Sequence, residues 1–323
     1  MHLPPDMTQW QGRIDDTEGE LGKRWHQIVQ PFAATANANG KGIALIGFAC
    51  DAGVERNHGR TGARKGPTAL RKALGNLPVH YCTSVSDAGD VACKRTPASD
   101  GLEQAQQALA KAVADILATD KLPIAIGGGH EIAWASFSGL AQHLAQREQT
   151  PRIGIINLDA HFDLRMAERP NSGTPFRQIA EDCVTRGWPF QYCCLGISRF
   201  ANTPALFERA RQLGVHWRLD EKMTGARLLS TLDLVQAFIA QVDHVYLTVC
   251  LDVLPAAVAP GVSAPAARGV PLEVVEPVID IVTTSGKLRT ADIAELNPDF
   301  DIDQRTARVA ARLTARIAEG WCS

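Results

Sequence analysis

The sequence predicts an α/β protein, a three-layer α/β/α sandwich around a central, mainly parallel sheet. Three observations carry that prediction. Near-continuous apolar runs recur along the chain: Gly42–Cys50, Pro123–Ile126, Arg152–Leu158, Gln191–Ile197, His244–Leu251 and Leu288–Leu296. Runs of this kind are strands covered on both faces, as in a parallel sheet. Between them lie stretches with apolar residues at helical spacing, and the two kinds alternate with no Ser/Pro/Gly linker or repeat to divide them.

The helical stretches follow in order. Leu102–Ala118 carries Leu102, Ala105, Leu109, Val113 and Ile116 on one face. Pro67–Leu74, Glu131–Ala145, Pro204–Leu213, Leu228–Ala240, Leu272–Ile281 and Ile302–Ala318 are patterned similarly. Residues 1–40 are polar and weakly patterned; they read as an N-terminal arm with one helix around Leu21–Gln30. Residues 41–323 read as a single domain. In the last helix Arg305, Arg308, Arg312 and Arg316 share a face, which reads as solvated in preference to a subunit contact.

Composition narrows the classes of function. The chain has 323 residues, 45% apolar and 21% charged, with 33 basic against 35 acidic residues and a formal charge of −2. That balance gives no electrostatic reason to expect nucleic acid or an anionic membrane as partner, so a small molecule is the expected ligand. The first twenty residues lack the pattern of a secretory signal, and no apolar run is long enough to span a bilayer. The eight cysteines are irregularly spaced without a CxxC pair, which argues against a disulfide framework or structural zinc and for a reducing cytoplasm.

Four strand candidates end in chemically unusual residues, at the carboxyl ends where open parallel sheets bind ligands. PIAIGGGHE sets three glycines before His130, and glycine lets backbone approach a ligand closely. Alone, His130 reads more readily as a structural hydrogen-bonder. LDAHFD places Asp159, His161 and Asp163 at strict alternation, so three ligand-type side chains project to one side of an extended backbone. CLDV repeats the alternation with Cys250 and Asp252, which singly read as a core and a turn residue. TADIAELNP places Glu295 at a further strand end. As a set, the mixed imidazole and carboxylate donors suit manganese better than a thiolate-rich metal site. Six candidate ligands exceed what one ion needs, which implies two ions activating a shared hydroxide.

These four segments, with DAGVERNHGRTGARKGPTALR, resemble in order the signature regions of the ureohydrolases, the superfamily of arginases, agmatinases and formimidoylglutamases. The resemblance covers about residues 42–315. It implies a sheet of about eight strands and a manganese pair held by His130, Asp159, His161, Asp163, Cys250 and Asp252. Two positions depart from arginases and agmatinases. Ser172 stands where their His-Gly histidine falls, and Cys250 replaces the first aspartate of the Asp-x-Asp pair, so the second manganese is expected to bind more weakly. The Ser172-Gly-Thr-Pro-Phe run, LGISRFANT and VLPAAVAPGVSAPAARG resemble the formimidoylglutamases.

The resemblance implies hydrolysis of N-formimidoyl-L-glutamate to L-glutamate and formamide, a reaction of histidine breakdown. A metal-bridging hydroxide would attack the amidine carbon, Glu295 would hold the amidinium, and Asp163 would carry a proton to the leaving amine. The substrate's carboxylates call for arginines. Arg165, two residues past Asp163, is the foremost candidate, followed by Arg56, Arg60, Arg177 and Arg199, with Asn57 and Ser172 beside them. Two other readings stay open: an agmatinase- or guanidino-acid-type enzyme releasing urea, and a non-catalytic protein of the same fold whose metal site Cys250 has impaired. Cys50 and Cys250 both end strands, which suggests a redox-active pair as an alternative to two separate thiols. A homo-oligomer is compatible with all of this.

Overall fold

The computed structural model describes residues 1–33 and 41–323; residues 34–40, the end of the expected arm, lie outside the described residues. Among the described residues ten strands form one sheet. They are β1 (His2–Leu3), β2 (Gln30–Pro31), β3 (Ile43–Ala49), β4 (Val85–Ala92), β5 (Leu122–Ile126), β6 (Ile153–Leu158), β7 (Gln191–Ile197), β8 (His216–Leu219), β9 (His244–Cys250) and β10 (Leu288–Ala294). Their order is β1-β4-β3-β5-β10-β9-β6-β7-β8, with β2 also on β4. Only β1 is antiparallel to its neighbour.

The helices are α1 (Trp25–Ile28), α2 (Ala52–Arg56), α3 (Gly66–Gly75), α4 (Leu102–Leu117), α5 (Ile132–Leu144), α6 (Pro175–Arg186), α7 (Pro204–Gln212), α8 (Leu228–Ala240), α9 (Leu272–Thr284) and α10 (Arg305–Cys322). They cover both faces, because alternate strand residues point to opposite sides. Ile43 and Leu45 of β3 pack into one core with residues of α3, α8, α9 and α10. Ala44, Ile46 and Phe48 pack into a second core with residues of α4, α5, α6 and α7. The three predicted layers are these two cores and the sheet between them.

The six predicted strands are present with ends shifted by at most two residues. β4 (VSDAGDVA) escaped the apolar pattern because it carries Asp87 and Asp90. Both carboxylates are engaged by Arg71 of α3, at 2.8 and 2.7 Å. The N-terminal segment also does more than its polar sequence suggested. Trp10 and Trp25 are buried, and the Trp10 indole N–H donates to Asp87 Oδ2 at 2.7 Å. The helix expected around Leu21–Gln30 is the single turn α1.

The cysteines require a correction. Cys50 is disulfide-bonded to Cys93, with Cα atoms 5.3 Å apart, and Cys82 to Cys322, with Cα atoms 5.2 Å apart. Register explains the first bond: Ala49 of β3 lies opposite Ala92 of β4, so the next residue on each strand is a cysteine beside its partner. The suggested Cys50–Cys250 pair is not formed, and Cys250 is a free buried thiol. β5 and β10 separate β3 from β9. Three strand spacings amount to about 14 Å, twice the reach of a disulfide. On α10, Arg312 and Arg316 pair with Glu276 and Asp280 of α9, while Arg305 and Arg308 are exposed. No helix among the described residues is long and apolar enough to cross a membrane.

Candidate metal centre

A cavity of about 300 Å³ opens at the carboxyl ends of the strands, lined by His130, His161, Asp163, Cys250, Asp252 and Glu295 on its floor. His130 arrives on the turn after β5. There Gly127 and Gly128 take left-handed φ of 82° and 75°. A Cβ on Gly128 would stand 2.6 Å from the Phe48 carbonyl oxygen, so no larger residue fits the turn. The Gly129 N–H then donates to the Cys50 carbonyl at 3.1 Å, which locks the turn against β3.

Asp159, His161 and Asp163 leave β6 in alternation. Two groups of potential ligands result, His130/Asp159/Cys250 and Asp159/His161/Asp252. Asp159 belongs to both. Its Oδ2 lies 2.9 Å from His130 Nδ1 and its Oδ1 3.5 Å from His161 Nδ1, so each oxygen faces one of the two imidazoles. Asp163 Oδ2 stands 2.9 Å from His130 Nδ1, and Asp252 Oδ2 3.1 Å from His161 Nδ1.

The residues fit a divalent metal pair. His130 Nδ1 is buried and has no hydrogen-bond partner of acceptable geometry among the described residues, although two carboxylate oxygens stand 2.9 Å away. A cation set between this nitrogen and the two carboxylates would engage all three at once. The other ring nitrogen, Nε2, lies 3.0 Å from Thr248 Oγ1, the outer-shell contact that orients a ligating histidine. Around it Asp159, Asp163 and Asp252 are all buried, and so much negative charge needs compensation. Cys250 is the one soft donor among hard ones.

The protein groups alone show that strain. Burial, then the Asp159 charge, pushes Asp163 up to about 6. Burial works to raise Asp159 too, but His130 and His161 outweigh it and hold it below the usual carboxylate range. Burial raises the Cys250 thiol, with Asp159 adding to it. Burial also pushes Glu295 up to about 7, although the His130 and Ser263 backbone N–H groups donate to its two oxygens at 3.0 and 3.3 Å. Asp163 and Glu295 both take left-handed φ, 49° and 72°, a conformation costly for non-glycine residues and held only where the surroundings impose it.

The rim comes from loops. Asn57, Arg165 and Ser172 line it, and Asn57 Nδ2 donates to Ser172 Oγ at 3.1 Å. The Arg165 backbone is clamped by Gly173 and Arg177, both at 2.9 Å, while its side chain makes no hydrogen bond among the described residues. The other four candidate arginines lie outside the lining. Arg56 pairs with Asp100 and Glu103. Arg60 donates to the Ser263 and Val262 carbonyls and stacks 4.2 Å over the Phe300 ring. Arg177 holds the Arg165 carbonyl and Glu181, and Arg199 pairs with Glu221 near the surface. The sequence reading omitted His58, Gly59, Ser263 and Ala264, which also line the cavity. It omitted Thr248 too, although Thr248 is in phase with Cys250 and Asp252.

A parallel sheet whose strand ends gather carboxylates and imidazoles into two potential ligand groups with Asp159 in common has the architecture of a hydrolase of the α/β class. The chain belongs to the arginase family, whose model matches residues 41–319, and it is a hydrolase of that family. It is 63% identical over 321 residues to the formimidoylglutamase of Ralstonia nicotianae, covering 99% of this chain and 97% of that one. It is 55% identical to the formimidoylglutamase of Aeromonas hydrophila, covering 97% and 98%. Among solved structures, the Trypanosoma cruzi formiminoglutamase with two Mn2+ superposes with a TM-score of 0.78 at 25% identity, covering 93% of this chain and 99% of that one. The Bacillus subtilis formimidoylglutamase shares the fold, with a TM-score of 0.79 at 22% identity and 92% of each chain covered.

Proposed function

We propose that this chain hydrolyses N-formimidoyl-L-glutamate to L-glutamate and formamide, a step of histidine breakdown. The observation that carries this is one cavity whose floor holds His130, His161, Cys250 and Asp252 around the buried, shared Asp159 and whose rim presents Arg165, a guanidinium with no hydrogen bond among the described residues. The near-full-length likeness to formimidoylglutamases supports the substrate. Two manganese ions held by His130, Asp159, His161, Asp163, Cys250 and Asp252 would supply an activated hydroxide and neutralise charge at the amidine carbon.

The chain's own residues do the rest. Glu295 sits on the floor with both oxygens fixed by backbone N–H donors, which leaves lone pairs to receive the amidinium in a charge-assisted bond. Asp163 lies beside His130 at the cavity wall, placed to hold a proton on its carboxylate and pass it to the departing glutamate amine. Arg165 offers a guanidinium fork to a substrate carboxylate, and Asn57 and Ser172 offer neutral donors beside it. Ser172 in place of a histidine removes an imidazole from this wall.

The decisive experiment incubates the manganese-loaded protein with formimidoylglutamate, agmatine and a guanidino acid, scoring formamide against urea. Formamide from formimidoylglutamate alone is the expected result. Urea release would replace this reading with the guanidine-hydrolysing one, and inactivity on all three at saturating manganese would favour a non-catalytic role. Replacing Glu295 by Ala should lower turnover at least about a hundredfold; unchanged turnover would remove Glu295 from the amidinium site.

A further inference from the structure

The opposite end of the sheet holds a second polar cavity, of about 330 Å³. It lies where β5, β9 and β10 begin, at Leu122, His244 and Arg289, and α4 and α5 end against it. Five basic side chains line it: Lys121, His143, Arg147, His244 and Arg289. Two carboxylates, Asp120 and Glu148, face them, and Glu148 is already taken by His244 Nε2 at 2.8 Å.

What distinguishes this cavity is the donors it leaves over. Lys121 is only 8% exposed, yet among the described residues its ammonium donates to Ser86 Oγ alone, at 2.9 Å. Burial depresses the Lys121 amine, and it depresses His143 together with the neighbouring Arg147 charge. The His143 and Arg147 side chains make no hydrogen bond among the described residues. The indole Nε1 of Trp321 is buried without a partner among those residues and can only donate, while His244 Nδ1, also buried and unpartnered there, donates when the ring carries both protons. The carbonyls at the ends of α4 and α5 place partial negative charge nearby, but Lys121, His143 and Arg147 donate to none of them. Arg289 reaches only the Gly286 and Leu288 carbonyls, at 3.1 and 3.0 Å. A larger groove of about 720 Å³ beside α3 is a weaker candidate, because its Lys65 is already paired with Asp299.

Donors and positive charge outnumber the acceptors that face them, which are Asp120 and the already engaged Glu148. Left so, each buried group forfeits a hydrogen bond and each cation repels its neighbours. A ligand made of acceptors only would satisfy both deficits. We propose that this cavity binds a small oxyanion with at least two negative charges, an inorganic phosphate or a short dicarboxylate, held by Lys121, Arg147 and Arg289 with the imidazoles of His143 and His244. The site is separate from the metal centre, at the other end of three strands that lead to it.

The test is thermal unfolding of the manganese-loaded protein with phosphate, with succinate, and with sodium chloride at equal ionic strength. Either oxyanion at about 20 mM should raise Tm by about 3 °C, the size of shift that mass action gives for a ligand well above its Kd. Chloride should not reproduce it. Arg147→Ala, an exposed position, and Arg289→Gln should each lose most of that shift while turnover on the amidine substrate stays within about twofold of the parent. A shift with one oxyanion only identifies the ligand and upholds the site. No shift with either, an equal shift with chloride, or an undiminished shift in both variants (as binding at the metal centre would give) would overturn it.

Discussion

The floor and the rim of the candidate active-site cavity are built in opposite ways. Floor residues ride on the ends of β5, β6, β9 and β10, and backbone donors or neighbouring side chains engage most of their polar atoms. His161 N–H donates to Asp159 Oδ1 at 2.7 Å, for example, and Asn157 Nδ2 to Asp159 Oδ2 at 3.0 Å. Rim residues ride on loops, and Arg165 and His58 project exposed side chains with no hydrogen bond among the described residues. Preorganised groups act on charge at the reacting carbon, because they need not move as it develops. Adaptable groups suit recognition of a flexible substrate's far end. Changes to the floor should therefore strike metal content and kcat, and changes to the rim should strike KM.

The largest effect is expected at Asp159, which serves both ligand groups. Asp159→Ala should empty both positions and lower turnover at least about a thousandfold. Metal analysis beside the formamide assay checks this, and retention of two manganese ions per chain would break the picture of a shared carboxylate. Cys250 probes the floor more finely. Its thiol is buried and pushed above its ordinary range, so ligation as thiolate carries a protonation penalty that a carboxylate would not. Cys250→Asp should lower the manganese concentration for half-maximal activity by about tenfold. An unchanged metal requirement would show that the thiol is a wall residue, not a ligand.

On the rim, Arg165→Ala should raise KM for formimidoylglutamate about tenfold to a hundredfold with kcat within about threefold. A fall in kcat at constant KM would place Arg165 with the floor. The same contrast governs what the sequence made legible. Strand ends advertise themselves: an apolar run followed by alternating His, Asp or Cys has few readings, so six candidate ligands could be picked out, five of which the fold gathers into the two potential ligand groups. Loops carry no period, and arginine is common on surfaces, so sequence could not separate Arg165 from Arg56, Arg60, Arg177 and Arg199. Only folding shows that Arg56 meets Asp100 and Glu103, which lie more than forty residues away in sequence. The N-terminal segment was illegible for a related reason. Trp10 and Trp25 are isolated aromatics in a polar sequence, and their burial depends on β4 and α3.

Arg56 offers the smallest and most discriminating effect, because it supports the rim without lining it. Its guanidinium donates to the Pro170 carbonyl at 2.8 Å, two residues before Ser172, and pairs with Asp100 and Glu103 at 2.6 and 2.7 Å. Hydrogen bonds from Arg56 are the main cause holding both carboxyls below their ordinary values of 3.8 and 4.5, with burial opposing them. A carboxyl whose folded pKa is depressed stabilises the fold above its unfolded pKa, and that contribution fades as pH falls through the folded value. Arg56→Met should therefore lower Tm at pH 7 by about 2–4 °C, a modest loss because Glu103 is partly exposed and screened. The gap between parent and variant should hold down to about pH 5 and narrow steadily below pH 4 as the carboxyls protonate in both proteins. KM should rise only about twofold to threefold, since Asn57 and Ser172 still hold each other across the rim. A Tm gap that stays constant into the acid range would mean that Arg56 contributes by packing and by its bond to Pro170. The loop carrying Ser172 would then owe its position to that single contact and not to the ion cluster behind it.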